Sequence, residues 1–286
     1  MMPAPDSKSN IVVRIIEHSL TPYIVLLLSV LFMVSPILLM FLNSFKSMAE
    51  ALAWPPTVFP ARPTLESYIR VFNSSVPLTM RNSLILSLST TTLVLAIALP
   101  TAYGLSKYPF KGSKAILIFY LASRIIPPIS LLIPFYIMLS MLNLINTHLG
   151  LILIYTYISL PLIIWVVKGF FDEFPKDLID AALIDGCSRL GAFARVVLPT
   201  SAVGVAAAGI ITFLWSWNEF LYPMVFTSST AVGPLTTGVY EFVGDEVIEW
   251  SSLSAVGMFA SLPAIIFFIL AQKYIIAGLT KGALKL

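Results

Sequence analysis

The sequence predicts an all-α membrane protein with six transmembrane helices, and three observations carry that prediction. Of its 286 residues, 58% are hydrophobic and only 11% are charged, whereas a soluble domain carries about 25% charged residues. The hydrophobic residues are concentrated in six runs of about 20, the length that a helix needs to cross a bilayer. Lys and Arg are shared unequally between the segments that join these runs, as in membrane proteins with a fixed orientation.

The six predicted spans cover residues 22–42, 83–106, 115–142, 149–170, 200–222 and 254–277. We expect the first span to be retained rather than cleaved as a signal peptide, because its apolar run is too long and no small-residue cleavage site follows it. The predicted organisation is therefore a cytoplasmic N-terminal segment (1–21), a membrane domain (22–277) and a cytoplasmic tail (278–286).

The distribution of basic residues predicts the orientation. With the N-terminus inside, 12 Lys and Arg residues fall in inner segments and 4 in outer segments, and basic residues accumulate on the cytoplasmic side of membrane proteins. Residues 172–199 are then cytoplasmic, whereas the first outer loop (43–82) and the second outer loop (223–253) face outwards. We expect the first outer loop to contain a short helix that lies laterally at the interface.

Several functions are excluded by residue types and spacing. The basic residues are scattered rather than clustered, which argues against nucleic acid as a partner. Cys187 is the only cysteine, so no internal disulfide forms, and it is expected to be a small packing residue. His18 and His148 fall on opposite sides of the membrane, which argues against a metal site. No catalytic cluster and no G-x-x-x-x-G-K-[ST] phosphate-binding motif is present, so we predict no catalytic residue and no cofactor bound by this chain.

One polar segment, residues 172–199, interrupts the apolar runs. Pro175 suits the first turn of a helix, and Asp172, Glu173 and Asp177 suit its N-terminal dipole. Gly186 permits a break, after which a second helix over residues 188–197 is expected to end at Pro199. The polar segment is thus predicted to be a helix–turn–helix. Helices that lie on lipid are rich in Lys and Arg, whereas this one presents aspartates, which favours a protein partner over an interfacial helix.

The same segment resembles a known family. Asp180-Ala181-Ala182, then Gly186, then Val196-Val197-Leu198-Pro199 resembles the E-A-A, three residues, G, nine residues, I-x-L-P loop of binding-protein-dependent ABC importer permeases. Asp replaces Glu and Val replaces Ile. Residues 102–114, 169–186 and 215–223 resemble the carbohydrate branch of that family. The last residues, 275–286, resemble the smaller permease subunit of maltose-type importers.

The resemblance implies a type I importer fold and a set of partners. A second permease subunit would complete a heterodimer, two separate ATPase subunits would bind ATP and Mg²⁺, and an extracytoplasmic solute-binding protein would deliver a sugar. The chain would lie among lipids in the plasma (inner) membrane of a prokaryote. By resemblance, residues 180–186 form a coupling helix docked on an ATPase subunit. The implied coupling residues are Asp180, Ala181, Ala182, Asp185, Gly186, Ser188 and Pro199.

Two further contacts follow from the resemblance. The tail is expected to contact the ATPase pair through Gly278, Leu279, Thr280, Lys281 and Gly282, unless it is a frayed end. The second outer loop is expected to dock the binding protein, unless it is only a connector. The residues predicted for that docking are Gly233, Thr236, Thr237, Gly238 and Tyr240.

Candidate residues for the translocation path lie in the third and fifth spans. Ligand sites combine apolar walls with a few placed polar groups, which Trp215, Asn218, Glu219 and Tyr222 supply; an aromatic belt at the interface is the alternative for the aromatic residues. Charge inside a span is costly, so Arg124 is expected to reach the interface, to pair with the second permease or to line the path. Pro127 and Pro128 predict a kink or break in the third span.

The sequence therefore predicts the transmembrane subunit of an ATP-driven importer for a sugar, with a di- or oligosaccharide as the expected substrate. Import of a polyol or a glycerophosphodiester by the same family is an alternative. A secondary carrier driven by an ion gradient is a second alternative, although inverted repeats and acids near mid-bilayer would then be expected.

Overall fold

The computed structural model describes residues 20–244 and 247–283, with no account of the side chains at 270, 271 and 273–283. Within these residues all regular secondary structure is helical apart from one isolated antiparallel bridge, Val243–Ile248. In this part of the chain, four helices are long and apolar enough to cross a membrane, or six when two bent pairs are each counted as one span. The all-α membrane fold is therefore confirmed. Most of the predicted N-terminal segment, residues 1–19, lies outside the described residues, and the side of the termini stays a prediction.

The chain divides into two compact units. The first contains residues up to 70 together with 249–258. Its helix α1 (Thr21–Ser44) exposes nearly every large apolar side chain, as expected of a helix that faces lipid. After α1, the first outer loop contains α2 (Met48–Ala51) and α3 (Glu66–Phe72), where a short helix was predicted. The Asn43 amide donates to the Ser254 hydroxyl (2.9 Å) in the last helix, α14 (Trp250–Ala283).

The second unit, residues 71–248 and 259–286, has three helices at its core. These are α4 (Val76–Lys107), α7 (His148–Asp172) and, later in the chain, the helix Ala202–Asn218. They bury two apolar clusters, one around Val94, Ile163 and Ala208 and one around Leu86 and Tyr155. Because α4 begins at Val76 and α14 at Trp250, both outer loops are shorter than predicted.

The third span is broken, as the prolines predict. Helix α5 (Ser113–Ala122) continues into a 3₁₀ turn, Ser123–Ile125, and after Pro127 a second 3₁₀ turn, Pro128–Leu131, leads into α6 (Leu132–Met141). The two halves differ in direction by 97°. Proline lacks the backbone N–H that a continuous helix needs and clashes with the preceding turn, so the break falls at the proline pair.

The fifth span, predicted near residues 200–222, is interrupted at Glu219. The polar segment contributes α8 (Lys176–Ile184), α9 (Arg189–Ala192) and α10 (Leu198–Thr200), and the span itself is α11 (Ala202–Asn218). The helix stops at Glu219, whose backbone is extended, and restarts as α12 (Leu221–Phe226). The Glu219 carboxylate accepts the Leu221 N–H (2.9 Å) and the Tyr222 N–H (3.3 Å), which satisfies donors that a helix start leaves free.

Candidate functional site

The turn of the polar segment is built around Gly186. After α8 ends, the Gly186 N–H donates to the Leu183 carbonyl (3.1 Å) and the Cys187 N–H donates to the Ala182 carbonyl (3.0 Å). This pair of bonds is a Schellman motif, which needs a left-handed residue, and Gly186 has φ +87°. A Cβ at Gly186 would meet nothing within 4 Å, so glycine is required here for its backbone conformation. The predicted break is confirmed.

The second half of the polar segment differs from the prediction at its end. Ser188 caps α9 by accepting the Gly191 N–H (3.1 Å), and α9 continues through a π-helical turn, Phe193–Val197, into α10. The helical turns therefore run through Pro199 to Thr200 instead of ending at Pro199. Pro199 occupies the first turn of α10, where no backbone donor is needed, and the chain bends by 79° only after Thr200.

The polar segment has one buried face and one exposed face. Its buried side chains are Phe174, Ile179, Ala182, Ala192 and Val197, and half-buried Cys187 packs against the same apolar cluster. The predicted coupling residues Asp180, Ala181, Asp185, Gly186, Ser188 and Pro199 are exposed, whereas Ala182 faces inwards. Three large apolar side chains accompany the aspartates: Leu178 is 48% exposed, Ile184 86% and Leu190 72%. Exposed apolar groups rimmed by polar ones mark protein contact surfaces.

Contacts that sequence reasoning missed attach the polar segment to α4 and α7. Asp172 is the last residue of α7 rather than a partner of the α8 dipole, which corrects its predicted role. Its carboxylate accepts the Ser106 hydroxyl (2.6 Å) and pairs with Lys168 (2.6 Å). The Lys107 ammonium donates to the Phe174 carbonyl (2.7 Å). The Arg189 guanidinium lies 4.9 Å from the centre of the Tyr108 ring, a cation–π distance.

A cavity of about 200 Å³, the Arg124 cavity, lies where the third and fifth spans break. Four of the five predicted path residues line it: Arg124, Trp215, Glu219 and Tyr222. Asn218 does not, and its side-chain amide instead donates to the Leu214 carbonyl (2.8 Å) of its own helix. Sequence reasoning missed the remaining lining residues, which are Ser123, Ile126, Pro128, Leu131, Tyr157, Ile158, Pro161 and Leu221.

A second concavity, the hydroxyl pocket, is formed by the second outer loop and holds about 300 Å³. Four of the five residues predicted for docking line it, namely Gly233, Thr237, Gly238 and Tyr240, together with Thr79, Phe220, Met224, Thr227, Ser228, Ser229 and Thr230. The fifth, Thr236, donates its hydroxyl to the Glu219 carbonyl (2.7 Å) and so attaches the loop to the break in the fifth span. The Tyr240 ring stacks on Phe220 at 5.7 Å.

The second outer loop is fixed to the first turns of α4. The Asn82 side-chain amide donates to the carbonyls of Thr230 (3.0 Å), Ala231 (3.1 Å) and Gly233 (3.0 Å). The Ser83 hydroxyl accepts the Leu235 N–H (2.8 Å). The backbone of the second outer loop is thus hydrogen-bonded to side chains that lie about 150 residues earlier in the sequence. This attachment was missed because nothing local in the sequence signals it.

Comparison with known proteins identifies the chain. The family of binding-protein-dependent transport system inner membrane components matches residues 94–281, about two thirds of the protein. The chain belongs to this family. It is 36% identical to the sulfoquinovosyl glycerol transport system permease of Agrobacterium fabrum, over 87% of this chain and 88% of that protein. It is 34% identical to the trehalose/maltose transport system permease of Thermococcus litoralis, over 78% and 81%.

Solved structures agree on the fold of this permease. It matches a chain of a bacterial ABC transporter that imports the acidic polysaccharide alginate, with a TM-score of 0.79, 18% identity and coverage of 96% of this chain and 99% of that chain. A second structure of a bacterial alginate ABC transporter, in complex with its pentasaccharide-bound periplasmic protein, matches with a TM-score of 0.63. The permease therefore has the type I ABC importer fold predicted from its sequence.

The family match covers the polar segment, the Arg124 cavity and the hydroxyl pocket apart from Thr79. The predicted tail, residues 278–282, continues α14, but its side chains lie outside the described residues. Both concavities and the polar segment contain residues that the sequence predicted as sites. Among the residues that the structure describes, no group of His, Cys, Asp and Glu could hold a metal ion.

Proposed function

We propose that this permease is one transmembrane half of an ATP-driven importer that moves a di- or oligosaccharide across a prokaryotic plasma membrane. The single observation that carries the proposal is the match to inner membrane components of binding-protein-dependent transport over residues 94–281. Relatives that carry trehalose or maltose and sulfoquinovosyl glycerol support a sugar as the substrate. A second, different permease subunit would supply the other half of the path.

The polar segment is suited to couple a partner ATPase to the spans. It exposes four aspartates and three large apolar side chains, while its inner face is packed in the same apolar core as α4 and α7. A force applied to the exposed face is therefore passed to two spans by side-chain packing and by the contacts of Asp172 and Lys107. Two ATPase subunits would bind ATP and Mg²⁺ between them, so the permease itself needs no nucleotide site.

The outer surface is suited to a solute-binding protein. The hydroxyl pocket is lined by Ser and Thr side chains and by the stacked pair Phe220 and Tyr240, which can contact a protein surface or sugar hydroxyls. Because Thr236 binds the Glu219 carbonyl, a partner that displaces the second outer loop would act directly on the break in the fifth span. Docking outside and nucleotide binding inside would then alternate access to the Arg124 cavity.

The proposal is tested by reconstituting the permease with its second permease subunit, ATPase subunits and sugar-loaded binding protein in proteoliposomes. We expect sugar-dependent ATP hydrolysis and uptake, and we expect Gly186→Trp to lower both at least tenfold, since the substitution strains a left-handed residue and fills the exposed face. Gly112→Trp is the matched control, because Gly112 also has a positive φ (+97°) and open surroundings but lies outside the polar segment.

Two results would contradict the proposal. Sugar uptake by the isolated permease on an ion gradient, with no companion subunit, would establish the secondary carrier instead. Equal loss of activity in the Gly186 and Gly112 variants would show that the effect arises from misfolding rather than from the polar segment.

A further inference from the structure

Arg124 is a cation inside a membrane span, and it has no partner among the side chains that the structure describes. It lies in the 3₁₀ turn at the end of α5, about 16 Å along the helix from Ser113 at 1.5 Å per residue. Across residues 20–244 and 247–283, no hydrogen bond or ion pair is made by its guanidinium. A charge at this depth is costly and marks a pathway for a solute or a partner of opposite charge.

The nearby carboxylate does not neutralise it. Glu219 lines the same cavity, but one of its carboxylate oxygens, Oε1, is bound by the N–H groups of Leu221 and Tyr222 at the start of α12. Its position is therefore set by the helix break rather than by Arg124. The cavity consequently offers a donor group, the guanidinium, and a separate acceptor group, the carboxylate.

The walls between these groups are aromatic and held by packing. Trp215 packs edge-on against Tyr155 at 5.6 Å, and Tyr222 packs against Phe135 at 6.1 Å. Tyr157 adds a further ring, itself packed against Phe135 at 5.4 Å. Rigid ring faces favour the apolar face of a sugar, and a volume of about 200 Å³ is below the roughly 300–1,000 Å³ of a drug-sized site, so it suits one sugar unit.

We propose that the Arg124 cavity binds an acidic sugar unit, with a carboxylate, sulfonate or phosphate group on Arg124 and hydroxyl groups on Glu219. The inference rests on the proposed function and sharpens it by naming the substrate class. Guanidinium pairs with such groups through two parallel hydrogen bonds, and hydroxyls can donate to a carboxylate. A neutral sugar would leave Arg124 uncompensated, which disfavours it.

The test is uptake by proteoliposomes that contain the assembled importer and its binding protein. Labelled neutral disaccharides are compared with the same disaccharides carrying a uronic acid unit. We expect the disaccharide that carries the uronic acid unit to be taken up faster than its neutral counterpart. Arg124→Gln should lower uptake of the acid about tenfold or more and abolish the preference for the acidic disaccharide, because the charged hydrogen bonds to the acid are lost and a neutral sugar no longer leaves a guanidinium uncompensated. Arg124→Lys should retain part of the acid uptake, and Arg81→Gln, an exposed arginine outside the cavity, should retain all of it.

Three outcomes would overturn the inference, and they are distinguishable. Preference for neutral sugars, with full uptake by Arg124→Gln, would show that the cavity does not read charge while sugar import stands. Loss of the second permease subunit on purification of Arg124→Gln would assign Arg124 to an ion pair between subunits. Absence of uptake for every sugar, acidic or neutral, would remove the proposed function and this inference together.

Discussion

The two ends of α4 contact two segments that are built in different ways. α4 has 32 residues and is therefore about 48 Å long. Its last turns hold the polar segment through a continuous apolar cluster that includes Tyr103, Phe171 and Ile179, reinforced by charged contacts. Its first turns hold the second outer loop mainly through hydrogen bonds with loop backbone, in which the Asn82 amide donates and the Ser83 hydroxyl accepts.

This difference between apolar packing and hydrogen bonding determines how each attached segment can move. Apolar packing resists displacement over its whole area, so the polar segment is suited to move together with α4 and α7. A few hydrogen bonds can be exchanged for bonds to water or to a partner at little net cost, because each contributes only about 0.5–1.5 kcal/mol. The second outer loop is therefore suited to detach when a partner docks, while the polar segment transmits force as a fixed body.

The largest expected effect is at the polar segment, which is held by apolar packing. Ile184→Asp adds a charge to a side chain that is 86% exposed, so we expect the melting temperature to stay unchanged while ATPase binding falls at least tenfold. Co-purification of the ATPase subunits measures the loss. Phe110→Asp is the control, since Phe110 is 56% exposed in the turn after α4 and makes no part of the polar segment. Retained ATPase binding by Ile184→Asp would show that this face is not the docking surface.

An intermediate effect is expected where the second outer loop is attached. Asn82→Ala removes three hydrogen bonds and leaves the buried Gly233 carbonyl without its Asn82 donor, which should destabilise the loop by about 2–4 kcal/mol. Hydrogen exchange should increase over residues 227–243 and stay unchanged over the polar segment. Thr92→Ala, on an exposed face of the same helix, should change neither region. Increased exchange in both regions would mean that the two ends are not independent.

The smallest effect is expected at the bond between loop and span. Thr236→Val deletes the hydroxyl that donates to the Glu219 carbonyl, which should weaken the attachment of the second outer loop by about 1 kcal/mol. We expect less binding protein to be needed for half-maximal ATP hydrolysis, because the loop is then easier to displace. Thr92→Val should leave that concentration unchanged. A higher requirement in Thr236→Val would show that Thr236 contacts the binding protein itself.

The sequence predicted the features that are encoded locally. Hydropathy located the spans, the proline pair located the break after Arg124, and Gly186 located the turn of the polar segment. The break at Glu219 could not be predicted in this way, because residues 215–222 contain no Pro or Gly and the break depends on one side chain that caps α12. The attachment of the second outer loop could not be read either, since Asn82 and its acceptors are about 150 residues apart.

The sequence predicted which residues belong to the candidate site but not how they are arranged in space. Arg124 and Glu219 attracted attention as charges within apolar runs, and the structure brings both to one cavity. Their lack of an ion pair was not predictable, because it follows from the N–H groups that Glu219 binds at the helix break. The contacts of Asp172 with Ser106 and Lys168 were missed for a similar reason, since they join helix ends that meet only in the fold.

The central claim is that the polar segment moves with α4 while the second outer loop does not. Pulsed electron paramagnetic resonance on the full complex, in a Cys187→Ser background, tests it with two label pairs at exposed positions: Ile97 with Leu190, and Leu88 with Ser228. On addition of ATP and sugar-loaded binding protein, we predict an unchanged distance for the first pair and a changed distance for the second. A change between Ile97 and Leu190, with Leu88 and Ser228 fixed, would contradict the account.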